Sequence, residues 1–455
     1  MENINTLGND SPNVSKETSE TNAVNEKNFY VSTTGDDSNP GSFEKPFRTV
    51  QKGCDVLKPG DTLNIMGGTY NEKITINTSG TKDAIITIRT YNNEKVILDG
   101  TGRKNSPCII YIQNKSYLRI QGLEICNAST GNTPTGIMVE GYGSGIEIIG
   151  NKVYKISSRK NAFGIAFYGT NGEKPIDGVI IKENEVFNCK LGSSESLVVN
   201  GNVRNFQIIG NKVHDNNNIG ICCIGFERTA PKNDQARNGI VSNNTVYNID
   251  STKNPAYDGE GCADGIYVDG GKDILIENNL VYNCNIGIEV ASEHLNKSST
   301  NVIVRSNLIY GSSLHGLSFG GASSRNGYAK NCEFVCNTLY NNSIGICIQK
   351  SQNNNVASNI IYDKDILLEG KLGSNTLINN LWYSPIETAK SLTPFADPKF
   401  VDPEDGDFHL RSDSPGIDNG DPYYEADAGE TDLDGNPRVV NGKVDCGTYE
   451  FQDNI

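Results

Sequence analysis

The chain has 455 residues, 36% of them hydrophobic, which is enough for a large core, yet no apolar run approaches the ~20 residues of a membrane-spanning helix. Acidic residues outnumber basic ones 55 to 40, and the formal charge of −15 argues against nucleic acid, whose binding depends on Lys and Arg neutralising phosphates. A polyanionic substrate is disfavoured more weakly, because bound Ca²⁺ can reverse a local field.

Residues 1–27 are polar, rich in Asn, Ser, Thr and Glu, and lack the charged-then-apolar pattern of a secretory signal. They read as a disordered leader, or as the start of a mature secreted chain. Residues 46–57 predict a short amphipathic helix with Phe47, Val50, Cys54 and Leu57 on one face. It is placed to cover the open end of the fold that follows, whose first strand is predicted at residues 62–66.

Two interleaved repeats dominate the rest of the chain. A tetrapeptide of Asn, any residue, an aliphatic and usually an aromatic starts at Asn151, Asn184, Asn211, Asn244, Asn279, Asn307, Asn337, Asn359 and Asn380. Between these lies a Gly-aliphatic-x-apolar-x series starting at Gly136, Gly164, Ser196, Gly220, Gly265, Gly287, Gly316 and Gly345. Short β-branched runs, Asn/Gly turns and no helical period describe a parallel β-solenoid of about three strands per coil. The intervals are too uneven for the blades of a propeller. Coils stacked ~4.8 Å apart align equivalent side chains, so the Asn series predicts a hydrogen-bonded ladder, with Asn also suited to a tight turn. The longest intervals, in the middle, predict loops that wall a groove.

Residues 397–451 are rich in Asp, Pro and Gly and read as an irregular C-terminal cap or appendage. The predicted organisation is a leader (1–27), a β-helix (28–390) and this cap (391–455). The twelve cysteines match no small disulfide framework and sit mostly in strand-like runs, so they read as free, buried thiols. Cys332 and Cys336 lack the partners of a zinc site.

The run Phe29-Tyr-Val-Ser-Thr-Thr-Gly-Asp-Asp, followed by Pro46-Phe-Arg-Thr-Val, Pro59-Gly-Asp-Thr-Leu and Gly68-Thr-Tyr, resembles the entrance of pectin-lyase-like right-handed β-helix proteins. The tail segments Asp397-Pro-Lys-Phe, Ser414-Pro-Gly-Ile-Asp and Asp445-Cys-Gly-Thr-Tyr-Glu look like a terminal segment of bacterial surface and secreted β-helices. The resemblance covers most of residues 29–451. It implies an all-β, single-stranded right-handed parallel β-helix, and a secreted or cell-surface location. It does not select among the lyases, hydrolases, epimerases and adhesins that share this fold.

Strand alternation sorts the Gly-aliphatic series. Its second and fourth positions are apolar and face the core. The outward third positions read Met138, Ala166, Val198, Cys222, Tyr267, Glu289, Ser318 and Cys347, and the fifth Glu140, Tyr168, Asn200, Ile224, Asp269, Ala291, Gly320 and Gln349. Asp269 and Glu289 therefore fall on adjacent coils, with Cα atoms roughly 8 Å apart and carboxylates ~5–9 Å apart, the range of paired carboxylates in glycoside hydrolases. The residue before the glycine position is Glu195, Asp264 or His315 in three coils. Asp264 and Asp269 bracket one strand, and the next coil ends in Glu289-Val-Ala-Ser-Glu293-His294. The longest interval, between Gly220 and Gly265, holds Glu227, Arg228, Arg237, Asp258 and Glu260, and is predicted to overhang this surface.

Three functions follow. The first is a glycoside hydrolase cleaving a plant or host glycan: Gly265-Ile-Tyr-Val-Asp269 and Ile288-Glu289-Val290 resemble the active-site strands of β-helical retaining β-xylosidases. That resemblance implies Asp269 as nucleophile and Glu289 as acid/base; an inverting mechanism with Asp264 as base is a separate alternative. Tyr267, Glu293, His294, Tyr168, Asn200, Arg228, His315 and Arg325 are then candidates for substrate contact, and no cofactor is required. The second is a Ca²⁺-dependent polysaccharide lyase or epimerase acting on uronates. Where β-helical pectate lyases show a Gly-Phe-Lys-Leu-Gly-Gly type strand, this chain has Gly316-Leu-Ser318-Phe-Gly-Gly321, leaving Lys272, Lys350, Arg228 and Arg325 as candidate bases. The third is a glycan-binding solenoid without catalysis, whose Thr431-Asp432-Leu-Asp434-Gly435-Asn436 segment is either a Ca²⁺ loop or a polar turn. In each case the partner is an oligosaccharide or polysaccharide.

Overall fold

The computed structural model describes residues 26–102, 108–363, 366–368, 372–384 and 394–452. Nearly all of the leader and the 390/391 boundary lie outside the described residues. The chain winds into a parallel β-helix of three sheets with 11, 12 and 18 strands. All pairings within them are parallel; the antiparallel pair Phe400–Asp402 and Asp407–Leu410 stands apart in the tail. Ile, Leu and Val from the three faces fill one continuous core. Burial of this apolar surface is the main source of stability.

The first strand is Asn28–Val31, one coil earlier than predicted; it pairs with Thr62–Ile65. The helix spans Val50–Val56, shorter than predicted because Thr49 caps its N-terminus, accepting from the Lys52 N–H at 3.2 Å. The Glu72 carboxylate accepts from the N–H groups of Val50 and Gln51, two donors a helix start leaves without partners. The Gln51 side chain accepts from Thr75 N at 2.7 Å and donates to Thr75 O at 3.0 Å. The helix thus covers the exposed edge of Ile74–Ile76, the first strand of the 11-stranded sheet.

The Asn ladder is continuous from Asn151 to Asn380. Each Nδ2 donates to the Oδ1 of the next Asn at 2.8–3.0 Å. That Oδ1 also accepts the preceding ladder residue's own N–H, as Asn244 does from Asn211. The left-handed turn, however, falls on the residue before each ladder Asn: Gly150, Glu183, Gly210, Asn243, Asn278, Ser306, Cys336, Ser358 and Asn379 all have φ of 51–64°. Behind the ladder, Tyr154, Phe187, His214, Tyr247, Tyr282 and Tyr310 stack with centroids 4.7–5.2 Å apart. That spacing is the coil repeat, and offset stacking suits it.

The tail packs along the flank of the helix. Phe400, Phe408, Leu410 and Cys446 cover Leu308, Ile360 and Leu381. Thr448 exchanges hydrogen bonds with Thr338 and donates to Asn307 O, and Arg305 pairs with Glu430 at 2.7 Å. All twelve cysteines are free, and all but Cys262 are buried. The segment at Thr431 is a polar turn. Asp432 is buried, and its carboxylate accepts from the N–H groups of Asp434, Asn436 and Glu450. With the Asn436 side-chain amide as a fourth donor, its acceptor positions serve the turn.

Candidate active site

The outward face of the 11-stranded sheet carries the groove. The register aligns Cys222, Tyr267, Glu289 and Ser318 in one row, and Asp269 opposite Ala291 in the next, as alternation predicts. Alternation alone, though, would bury Asp264 in the core. Gly265 breaks the parity. Asp264 pairs with Ile286 and Ile266 with Ile288, while a Cβ at Gly265 would lie 2.6 Å from Val281 Cγ1 and 2.7 Å from Gly287 O. Gly265 and Ile266 therefore both face inward, and the residue before the glycine turns out to the groove. A glycine without a Cβ permits this local irregularity. The same device, at Gly164, Gly220, Gly287 and Gly316, brings Phe163, Ile219, Ile286 and His315 to the groove, and Glu195, followed by Ser196, lines it at the same repeat position.

Two cavities meet along Ile219, Tyr257, Tyr267 and Glu293. The smaller, about 320 Å³, contains Asp264, Glu289, His315 and Ser318. The Ser318 hydroxyl donates to Glu289 Oε1 at 3.2 Å, so the residue standing where lyases carry lysine serves a carboxyl group. Asp264 and Glu289 lie within hydrogen-bonding reach of each other. Two carboxyls in such contact hold one proton between them. Burial pushes both above the usual carboxylate range, Glu289 up to about 7, and the charge of Glu289 raises Asp264 further.

The larger cavity, about 680 Å³, has Glu195, Glu227, Asp269 and Glu293 around an apolar floor of Met138, Cys222 and Ile224, with Phe163, Tyr168 and Tyr257 at its sides. Asp269 is 3% exposed, and its Oδ1 accepts the Glu293 N–H at 2.8 Å. Burial raises Asp269 well above its ordinary value, and the neighbouring Glu293 charge adds to this. Burial likewise raises Glu195 to about 8, with Glu227 and Glu293 contributing. No Lys or Arg occurs among the described residues lining either cavity.

The structure brings Asp264, Asp269, Glu289, Glu293, Tyr267, Tyr168, Asn200 and His315 into one groove. Asn200 also accepts from Thr229 at 2.8 Å, tying the overhanging loop to the floor. His294 stands at the rim, 3.1 Å from Glu227. Arg228 and Arg325 are not brought in. Arg228 borders a separate depression with Asp234 and Lys297, and Arg325 is exposed and lines neither cavity, although Ala322 and Asn326 of the same turn line the smaller one. Lys272 lies on the 18-stranded sheet, and Lys350 donates to Asn326 O at 2.8 Å beyond the end of its strand.

The interval before Gly265 divides into two loops separated by Arg237–Ser242 and Thr245–Ile249. One loop carries Glu227. The other carries Tyr257 and is pinned where Asn254 Nδ2 donates to Gly192 O and Asn217 O. Arg237 instead donates to Asn202 on another face, and Asp258 and Glu260 line neither cavity. Tyr257 had no repeat position to flag it. Glu195 shares its repeat position with Asp264 and His315, a signal that already singled it out.

One ligand atom from each of Glu227, Asp269 and His294 lies within 4.8 Å of the others. An imidazole among them departs from the all-oxygen shell that Ca²⁺ prefers.

Family models for a Pel9A-like right-handed β-helix region and for a right-handed β-helix region match residues 29–193 and 135–339. The protein YwoF of Bacillus subtilis is 37% identical over 427 residues, 85% of this chain and 91% of YwoF. The chain belongs to the right-handed β-helix family and, within it, groups with YwoF. Pectate lyase PEL9 of Emericella nidulans is 28% identical over 202 residues, 39% of this chain and 47% of that enzyme.

Among solved structures, pectate lyase Pel9A superposes with a TM-score of 0.56 at 16% identity, over 94% of this chain and 96% of its own. The GH136 lacto-N-biosidase of Eubacterium ramulus gives 0.58 at 16%, over 78% and 67%. XylC in complex with xylose gives 0.56 at 12%, over 82% and 87%. At these identities the likeness is one of fold. No described helix is long and apolar enough to cross a membrane.

Proposed function

We propose that the protein is a glycoside hydrolase acting on an oligosaccharide or polysaccharide at the junction of the two cavities. The observation that carries this reading is a groove lined by carboxyl groups without a cation among its described residues. Glycosidic hydrolysis needs one carboxyl that keeps a proton near neutrality and a second that stays anionic to attack the anomeric carbon or activate water. Glu289 is assigned the first role: burial raises it to about 7 against the hydrogen bonds from Asp264 and Ser318, which favour its anion, and in its protonated form it can protonate the leaving oxygen. Asp269 takes the second by position, and burial and the Glu293 charge oppose its ionisation until substrate alters that surrounding. It lies one coil back and two residues along the strand, and the Glu293 N–H stabilises its anion. Tyr267, between them, offers a ring to the sugar's apolar face.

A uronate lyase or epimerase is the alternative, favoured by the PEL9 relative and the Glu227, Asp269 and His294 cluster. It is supported less well. A uronate carboxylate would enter a field of like charge, no lysine or arginine among the described residues lines either cavity, and the donor set does not match Ca²⁺. A solenoid that binds glycans without cleaving them would not call for a proton-sharing carboxyl pair. A secreted or cell-surface location belongs to the same proposal, because polymeric glycans are met there.

Asp269→Asn and Glu289→Gln test the assignment. Each is expected to lower kcat/KM on a neutral glycan by roughly a thousandfold or more while the melting temperature is retained. Near-normal turnover in both would remove it.

A further inference from the structure

The larger cavity holds a carboxyl group that the hydrolytic scheme does not use. Glu195 is 8% exposed, precedes the strand Leu197–Gly201 and lines the cavity at the repeat position that Asp264 holds in a later coil. Its neighbours in the cavity are Tyr168, Phe163, Tyr257, Glu227 and Glu293. Phe163 and Tyr168 meet edge to face with centroids 5.5 Å apart, forming an apolar wall. No Lys, Arg or His is among the described residues lining this cavity. A buried carboxyl that lacks a protein cation keeps its proton in the empty cavity, and an ammonium group entering the sugar-sized space beside it can displace that proton and leave an ion pair.

We infer that this cavity is a subsite for a sugar bearing a free ammonium group, with Glu195 receiving the ammonium and Phe163, Tyr168 and Tyr257 flanking the ring. The substrate class is thus a glycan containing unacetylated hexosamine. Glu227 and Glu293 reinforce the preference, since each adds negative potential that a cation relieves and a uronate worsens. The apolar floor rejects neither amino nor neutral sugars, so selectivity falls to the charge. This inference rests on the groove being a sugar site.

The test is calorimetric binding to Glu289→Gln, which removes cleavage from the measurement. The probes are glucosamine and galactosamine oligomers, their N-acetylated counterparts and oligogalacturonate, all at pH 6 with EDTA present. The amino oligomers are expected to bind about 10- to 100-fold more tightly than the acetylated ones, with oligogalacturonate weakest. Adding Glu195→Gln is expected to abolish that preference. This change keeps the side chain's shape, and a retained melting temperature excludes misfolding. Equal binding of amino and acetylated probes, a preference for the acetylated ones, or no binding by any amino oligomer would overturn the inference. Amine-selective binding in Glu289→Gln together with a wild type that releases no reducing ends would instead remove the hydrolase reading and leave the subsite standing.

Discussion

At the entry to the 12-stranded sheet, nine consecutive coils place Asn at one position, and each is bonded to the next. On the 11-stranded sheet the corresponding row changes at every coil: Met138, Ala166, Val198, Cys222, Tyr267, Glu289, Ser318, Cys347. The first region is saturated. Its amides have partners, its rings stack at the coil spacing, and it offers a ligand nothing. The second leaves carboxyls crowded and raised toward neutrality, a state that costs stability in the free protein and fits them for chemistry. Repetition in this molecule holds the helix together, and departures from it mark the site.

The comparison breaks most severely if the catalytic pair is replaced: Asp269→Asn and Glu289→Gln are expected to abolish turnover and leave folding intact. Asn244→Ala should do the reverse. It leaves the Asn211 N–H and one of its two amide hydrogens without an acceptor, and removes the side-chain donor to Ile208 O and one of the two donors to Asn279 Oδ1. A loss of about 3 kcal/mol or more is expected by denaturant titration, with kcat unchanged in the fraction that remains folded.

The pH dependence has two signs to check. Activity needs the proton shared by Asp264 and Glu289, so kcat/KM is expected to fall on the alkaline side, near the value of about 7 to which Glu289 is pushed. Stability should move in the same direction through Glu195. Its folded value of about 8 exceeds the ordinary 4.5, so between these limits the native state holds a proton the unfolded chain has released. Stability therefore declines as pH rises through that window. Glu195→Gln removes this decline, and its melting temperature should overtake that of the wild type progressively from pH 5 to pH 8.

The smallest effect is expected at Arg325, exposed and outside the groove: Arg325→Ala should change kcat/KM by less than about twofold.

Much of this was readable beforehand because a β-helix converts sequence period into spatial row. The Asn ladder, the Tyr267, Glu289 and Ser318 row and the adjacency of Asp269 to Glu289 follow from counting alone. Counting failed wherever the backbone departs from the period. Alternation gives the wrong side for Asp264, because Gly265 adds an inward residue. It says nothing of Tyr257, which reaches the groove from a loop held by Asn254. Nor does it reveal that the loops around Arg228 and Arg325 carry those cations away from the floor. The tail, lacking a repeat, gave no sign that it would lie along the flank.

The most direct test is the chemistry of the product. The wild-type protein is incubated with neutral, amino and uronate glycans, and each reaction is read for new reducing ends and for the absorbance of unsaturated uronate. The account predicts new reducing ends from neutral or amino glycans, no unsaturated product, and full activity in EDTA. Unsaturated uronate formed in a reaction that EDTA stops would contradict it, and the groove would then be that of a lyase.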